Sequence, residues 1–550
     1  MVREDLGKVA GHRQQPRIVR RWVAGALLLA LAGSGLVFVS WSAGGSNGSP
    51  PPAAPAAKSP PPLFREWPRD RQPDVAIVLS AAMIGFLKEC GCSHPQLGGL
   101  DRRYNFLQTL LKDRHWPVVA VDLGDIAQRS GPQALLKYRY SMESLKLLSY
   151  TAVGVGENEM QLPLLEALGA YALNNPKPAV LAANLQKKDE NFPNMVKSWK
   201  IEEAGDKAPR VGVVGVVGPS VAKAVHDADV AFEGNDKVLP AVLKEVQAAN
   251  PDLLVLLYQG SVEEAKACAE RFPQFHVVLC LTKEEEPPSR PEKVGNTQVI
   301  GVGHKGRYVG VVGAYRTGKT EPAFDFYYEL VAMVEEYATP PDAKEGDNPV
   351  LALLEEYSRE VKNGNYLAHY APKKIKHAIQ LEPEFQEATY VGSQKCKNCH
   401  AESFRVWQNS PHAHAYHTLE TATRPSLRQY DGECVACHVT GFGYAGGFSD
   451  EKTTPLLKDN GCENCHGPCS LHVKGGPKGL DPKLLALMNP FKTKPNETEA
   501  QKTRRVNGLD LSCQKCHDID NDVHWKIDKW VQGHIVHKEP TEPAPAADGH

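Results

Sequence analysis

Between about residue 74 and residue 335 the chain alternates short, wholly apolar runs with longer stretches whose apolar residues recur at three- and four-residue spacing. The runs at 75–80, 118–122, 152–155, 180–183, 211–217, 253–258 and 277–281 are rich in Val, Ile and Leu. They are too short for buried helices and read as strands. Stretches such as 103–111 and 136–148 carry the helical period between them. A strand without polar alternation is covered on both faces, which predicts an α/β sheet beneath helices on either side. One domain of that class accommodates the roughly 260 residues involved.

The flanks read differently. Residues 22–41 (WVAGALLLALAGSGLVFVSW) form an uncharged apolar run preceded by Arg17, Arg20 and Arg21. That length just spans a bilayer, and basic residues ahead of it keep the N-terminus inside. The expectation is a single-pass signal anchor over 1–43, with cleavage near Ser42 and Ala43 as the alternative. The bulk of the chain then lies in the periplasm, on the outer face of a bacterial inner membrane. Residues 44–70, Gly/Ser-rich and then Pro/Ala-rich, predict an extended linker. After an α/β domain over 71–335, residues 336–388 hold a Pro340-Pro341 break, an amphipathic stretch at 349–361 and basic residues at 373–376. They predict a helical connector, with His369 and His377 facing solvent. Over 389–540 Gly and Pro are frequent and no strand alternation survives, so the segment is mainly helix and loop. Residues 541–550 read as a disordered tail.

With 63 basic and 65 acidic residues among 550, the net charge is −2. No basic cluster points to nucleic acid. The chemistry is in the 13 cysteines. Eight fall in four Cys-x-x-Cys-His motifs: Cys396, Cys399 and His400; Cys434, Cys437 and His438; Cys462, Cys465 and His466; Cys513, Cys516 and His517. Each is an attachment signature for c-type haem. Thiols three residues apart share a helical turn and reach both vinyl groups of one porphyrin edge, and the adjacent imidazole becomes the proximal iron ligand. A zinc knuckle or a redox dithiol accounts for one Cys-x-x-Cys pair, but not for four with histidine at the same offset. The expected cofactor is therefore four covalently bound haem c groups. About 150 residues cannot insulate four porphyrins from one another, so the haems must stack closely and supply much of their own core.

Candidate sixth ligands are His412, His414, His417, His472, His524, His534, His537 and His550. His412 follows the first motif on a segment carrying Trp407. His472 is too near His466 to fold back onto its own iron and should serve a neighbour. His534 and His537 share one helix face. Among the remaining cysteines, Cys90 and Cys92 with His94 follow the first strand. They offer one thiolate site for a soft or borderline metal ion, with a strained disulfide or a structural thiol pair as alternatives. Cys268 and Cys280 read as buried thiols or one disulfide.

Two resemblances follow from these residues. The fragments 98–103 (GGLDRR), 121–125 (VDLGD), 154–159 (GVGENE) and 182–185 (AANL) resemble the metallophosphoesterase domain of the periplasmic 5′-nucleotidase family. That resemblance implies an α/β sandwich with a two-metal site at strand ends, where a metal-bridged water attacks phosphate. This sequence departs at nearly every ligand: Ser80-Ala81-Ala82, Glu157-Asn158 and Tyr258-Gln259-Gly260 replace the expected histidines and aspartate. Asp125 and Asn184 remain, too few for two cations, and Asp122 and Asp125 are expected to cap loops. The domain is expected to be a degenerate scaffold. The runs 396–419, 433–448 and 461–468 are similar to the tetrahaem cytochrome c-554 family. This resemblance implies bis-histidine ligation at three haems, with distal ligands from His412, His472 and one of His534 and His537. It also implies an open, five-coordinate haem on His438. Against the family pattern, His414, His417 and His524 are additional histidines able to close that site, and Cys469 replaces a glycine.

The expected function is electron transfer by a membrane-anchored, periplasmic multihaem c-type cytochrome with an inactive phosphoesterase-like scaffold. Redox proteins or quinol-linked membrane complexes are its expected partners. The alternatives are a redox enzyme acting on a small nitrogen or sulfur species at the haem on His438, and a nucleotide phosphohydrolase.

Overall fold

The computed structural model describes residues 62–528 apart from 90–95, 163, 172–176, 188–194, 226–229, 345, 477–478, 480, 519–520 and 523. Within 62–338 two six-stranded mixed sheets face each other. From edge to edge the first runs Phe324–Ala332, Tyr308–Arg316, Val75–Ser80, Val118–Asp122, Ala152–Gly154, Ala179–Leu181. The second runs Glu292–Val294, Thr297–Gly301, Val277–Cys280, Leu253–Gln259, Arg210–Val217, Trp199–Glu203. Central strands pair in parallel, and antiparallel strands are added at the edges.

All seven expected strands form, but in two sheets rather than one. Ile77, Leu79, Val119 and Val121 of the first sheet meet Val213, Val255, Leu257 and Leu279 of the second in a core between the sheets. The opposite faces carry Ala76, Val78 and Ala120 on one side and Val214, Leu254 and Leu256 on the other. They lie under helices such as Ala134–Leu147 and Asn235–Ala248. A strand buried on both faces looks the same in sequence whether its second cover is a helix or another sheet. The result is a helix–sheet–sheet–helix sandwich.

Both expected boundaries of this domain move outward. Phe64 and Trp67, assigned to the linker, are buried. Trp67 stacks on Trp116 with ring centroids 5.4 Å apart, against Gly313, where a Cβ would strike the indole. On the other side, helix Pro349–Asn363 is capped by Asn348 and has proline in its first turn, where the missing N–H costs nothing. It packs Val350, Leu354, Tyr357 and Val361 into the same core as the first sheet's helices, so much of the expected connector belongs to the α/β domain. His369 is exposed, whereas His377 is half-buried and caps helix Ala378–Leu381.

Residues 1–61, which include the expected anchor, lie outside the described residues. Among the described residues no helix is long and apolar enough to cross a membrane.

From residue 364 the chain is mostly short helices and 3-10 turns, with one 15-residue helix at Glu499–Cys513, and strand pairing survives there only as isolated bridges. Among the described residues its buried apolar side chains form two small clusters of nine and six, with Phe404 and Ala413 besides.

Candidate haem sites

Each Cys-x-x-Cys-His motif lies on a helical turn. The second is helix Gly432–His438, whose cap Asp431 accepts from the Glu433 N–H, and the third is helix Cys462–His466. In the first and fourth, the carbonyls of Cys396 and Cys513 accept from the N–H groups three and four residues on. Both thiols of a pair therefore project from one side of a turn.

The proximal imidazoles are oriented from behind. Nδ1 of His438 donates to the Ala415 carbonyl at 2.7 Å, and Nδ1 of His466 to the Met488 carbonyl at 2.8 Å. Nδ1 of His517 donates to the Asp522 carboxylate at 2.9 Å. An acceptor there fixes the tautomer and leaves the Nε2 lone pair for a metal.

Two of the four motif histidines face a second imidazole. The rings of His400 and His472 are near-parallel, 24° between planes, with centroids 6.0 Å apart, and those of His412 and His517 are 5.9 Å apart. Two imidazoles sharing one metal, each bonded at roughly 2 Å, have centroids about 6 Å apart. Nδ1 of His472 is buried without a hydrogen-bond partner in the protein. Burial pushes the pKa of His412 and of His472 below the ordinary histidine value, which favours the neutral, ligating form. His472 thus faces the first motif rather than His466 beside it in sequence, and His412 faces the fourth. His534 and His537 lie outside the described residues, as do His550 and the Cys90–Cys92–His94 group. His412 lies within electrostatic reach of His438 as well as of His517; His414, His417 and His524 are all exposed.

The attachment points adjoin one another. The Cys396 thiol lies beside Cys462, Cys516 beside Cys437, and Cys465 beside Cys516 and Cys513. The third and fourth motifs are thus central, and Asn464 of the third also donates to the Val439 carbonyl beside His438. The Glu463 carboxylate, 1% exposed, accepts from the N–H groups of Val391, Gly392 and Cys469 and staples the first motif to the third. Sequence reading passed over it because it fills an unspecified position of the motif. The buried Cys469 thiol donates to the Gly467 carbonyl.

The surroundings suit porphyrin. Of seven large apolar side chains exposed among the described residues, Ile375, Leu381, Leu456, Val473 and Leu511 fall in this segment. An apolar surface of that kind beside a thin core is what a covalently bound apolar group covers.

At the strand ends of the α/β domain the residues left from the two-metal pattern have other partners. Asp122 accepts from Ser80 and from the Gly124 N–H. The Arg103 guanidinium, 1% exposed, lies 3.7 Å from its carboxylate and donates to Ser80 at 3.1 Å. A fixed internal cation thus stands beside this aspartate. Asn184 is turned to the Val217 backbone, accepting from its N–H and donating to its carbonyl. Asp125 accepts from the Asn158 N–H at 2.8 Å. Cys268 and Cys280 are separate buried thiols, each pushed up to about 12 by burial.

Residues 395–467 match the sequence model of the family described as cytochrome c554 and c-prime. Cytochrome c-554 of Nitrosomonas europaea is 36% identical over 93 residues, which are 15% of this chain and 40% of that protein. Among solved structures, the Thermus thermophilus sulfate thiohydrolase SoxB overlaps 53% of this chain and 62% of its own at 13% identity, with a TM-score of 0.44. A 5′-nucleotidase precursor, also from Thermus thermophilus, overlaps 55% and 60% at 18% identity, again with a TM-score of 0.44. The chain thus spans under two thirds of the length of each of these relatives. Its C-terminal segment is similar to the cytochrome c-554 family, joined to an α/β region whose structural neighbours are of the 5′-nucleotidase and metallophosphoesterase kind.

Proposed function

We propose that this protein transfers electrons as a tetrahaem c-type cytochrome, held at the periplasmic face of the inner membrane by residues 22–41. The observation that carries the reading is the pair of facing imidazoles, His400 with His472 and His412 with His517, at the separation of axial ligands of one metal. Bound haem supplies one-electron redox chemistry at each site. The chain's part would be to hold haem iron by rigid imidazoles at the His400–His472 and His412–His517 pairs, which would leave little to rearrange on reduction, and to keep the attachment points close together. The α/β domain serves as scaffold: Arg103 and Asn184 commit the residual polar groups to structural bonds, and no hydrolytic step is assigned to them. Replacing His472 or His412 by Met exchanges one imidazole for a weaker donor. One low-spin haem in each variant is expected to become methionine-ligated or high-spin and to gain potential. Unchanged spectra in both variants would remove these residues as ligands.

A second reading, chemistry on a small nitrogen or sulfur species, is favoured by one observation. Nδ1 of His438 is held by the Ala415 carbonyl, and the three additional histidines that could close its other face are exposed. A high-spin share in the spectrum of the oxidised protein supports it; an entirely low-spin spectrum opposes it.

A further inference from the structure

The side-chain hydrogen bonds and ion pairs that cross from the α/β domain, helix Pro349–Asn363 included, to the haem segment beyond residue 389 are concentrated. Among the described residues they end within 424–433, the stretch that leads into and starts the second haem helix. Arg424 donates to the carbonyls of Pro340 and Ala343. Glu355 accepts from both the N–H and the hydroxyl of Ser426 at 2.7 Å. The tightest group lies at the helix cap. Gln133, fully buried, donates to Asp431 at 3.0 Å and to the Tyr357 hydroxyl at 2.6 Å. Tyr357 in turn donates to Asp431 at 3.1 Å, and the Tyr370 hydroxyl donates to the Gln133 carbonyl oxygen at 2.7 Å. One turn along helix Ala134–Leu147, Lys137 forms an ion pair with Glu433. Burial alone would push Lys137 down, yet Glu433 and Asp431 raise it above the ordinary lysine value, so the ammonium is retained. Gly432 sits against the Tyr370 ring with no room for a Cβ. No comparable set of contacts from this domain reaches the first, third or fourth motif among the described residues.

We propose that the α/β domain positions the haem held by Cys434, Cys437 and His438 and sets its potential, through the Gln133–Asp431–Tyr357 hydrogen bonds and the Lys137–Glu433 ion pair. This rests on the haem reading above and gives the fused domain a redox role without any phosphoesterase chemistry. The sign is fixed by charge. Lys137 offsets two carboxylates at the start of the haem helix. Removing it leaves negative charge that favours ferric iron in a seam where screening is weak, while removing Glu433 does the reverse.

The test is a redox titration of the full-length holoprotein, followed by electron paramagnetic resonance. The variants are Lys137→Met and Glu433→Gln, with Lys266→Met as control; Lys266 belongs to an exposed pair with Glu292 that touches no haem motif. One haem of the four is expected to move, down in Lys137→Met and up in Glu433→Gln, by about tenfold in its reduction equilibrium, about 59 mV for one electron. It should be the haem whose spectrum changes in Cys437→Ala. The partly exposed Glu433 keeps the test open if Lys137→Met folds poorly. Four unmoved haems in the variants, or shifts of the same sign in both, would overturn the proposal while leaving the haem reading intact. Fewer than four haems in the wild-type haemochrome would overturn the haem reading, and the proposal with it.

Discussion

Asp522 sets the fourth motif apart from the second and third. His438 and His466 donate through Nδ1 to neutral carbonyls, whereas His517 donates to a carboxylate. A carboxylate draws the imidazole proton further and makes the ring a stronger donor to ferric iron. Asp522→Asn is therefore expected to raise the potential of the haem on His517 by on the order of 60 mV, about tenfold in equilibrium. A potential unchanged in that variant would limit Asp522 to shaping the loop. Legibility at this scale was uneven. The four motif histidines were readable because the motif is contiguous. The pairing of His412 with His517 was not, because it depends on how residues about a hundred positions apart are brought together. Nothing local in the sequence distinguishes Arg103, the buried cation beside Asp122, from a solvated arginine.

The helix Glu157–Gln161 ties two loops of the α/β domain together. Its Glu159 carboxylate accepts from the N–H groups of Asp125, Ala127 and Gly156, joining the loops after the second and third strands of the first sheet. Burial raises the pKa of Glu159, and Asp125 raises it further; burial likewise raises Asp125. The folded state therefore holds protons that the unfolded chain has released. Stability is greatest below the ordinary carboxylate range and falls as pH rises through the shifted values towards neutrality. Thermal unfolding of the α/β domain should occur at lower temperature at about pH 8 than at about pH 5, with a smaller difference in Glu159→Gln. An equal difference in that variant would assign the pH dependence elsewhere. The same scale explains which strands were legible. The central runs are Val/Ile/Leu-rich and uninterrupted, whereas the missed edge strands, such as Trp199–Glu203 with its two glutamates, alternate with polar residues and lie half-exposed.

Across the whole molecule, two parts of different construction share one seam. The sandwich is held by cores between and outside its sheets. The haem segment has little apolar core of its own and presents apolar side chains that bound porphyrin would cover. The four attachment points adjoin one another, and the second motif is the one the sandwich grips. Sequence indicated both parts and their order along the chain. It did not indicate the grip, because Gln133, Lys137, Tyr357 and Asp431 come from three separated stretches and none belongs to a motif. The most direct test of the account is the electron paramagnetic resonance spectrum of the oxidised full-length protein. The facing pairs His400–His472 and His412–His517 require at least two haems with the low-spin signals of bis-imidazole iron. A spectrum with only high-spin haem, or with no haem signal, would contradict it.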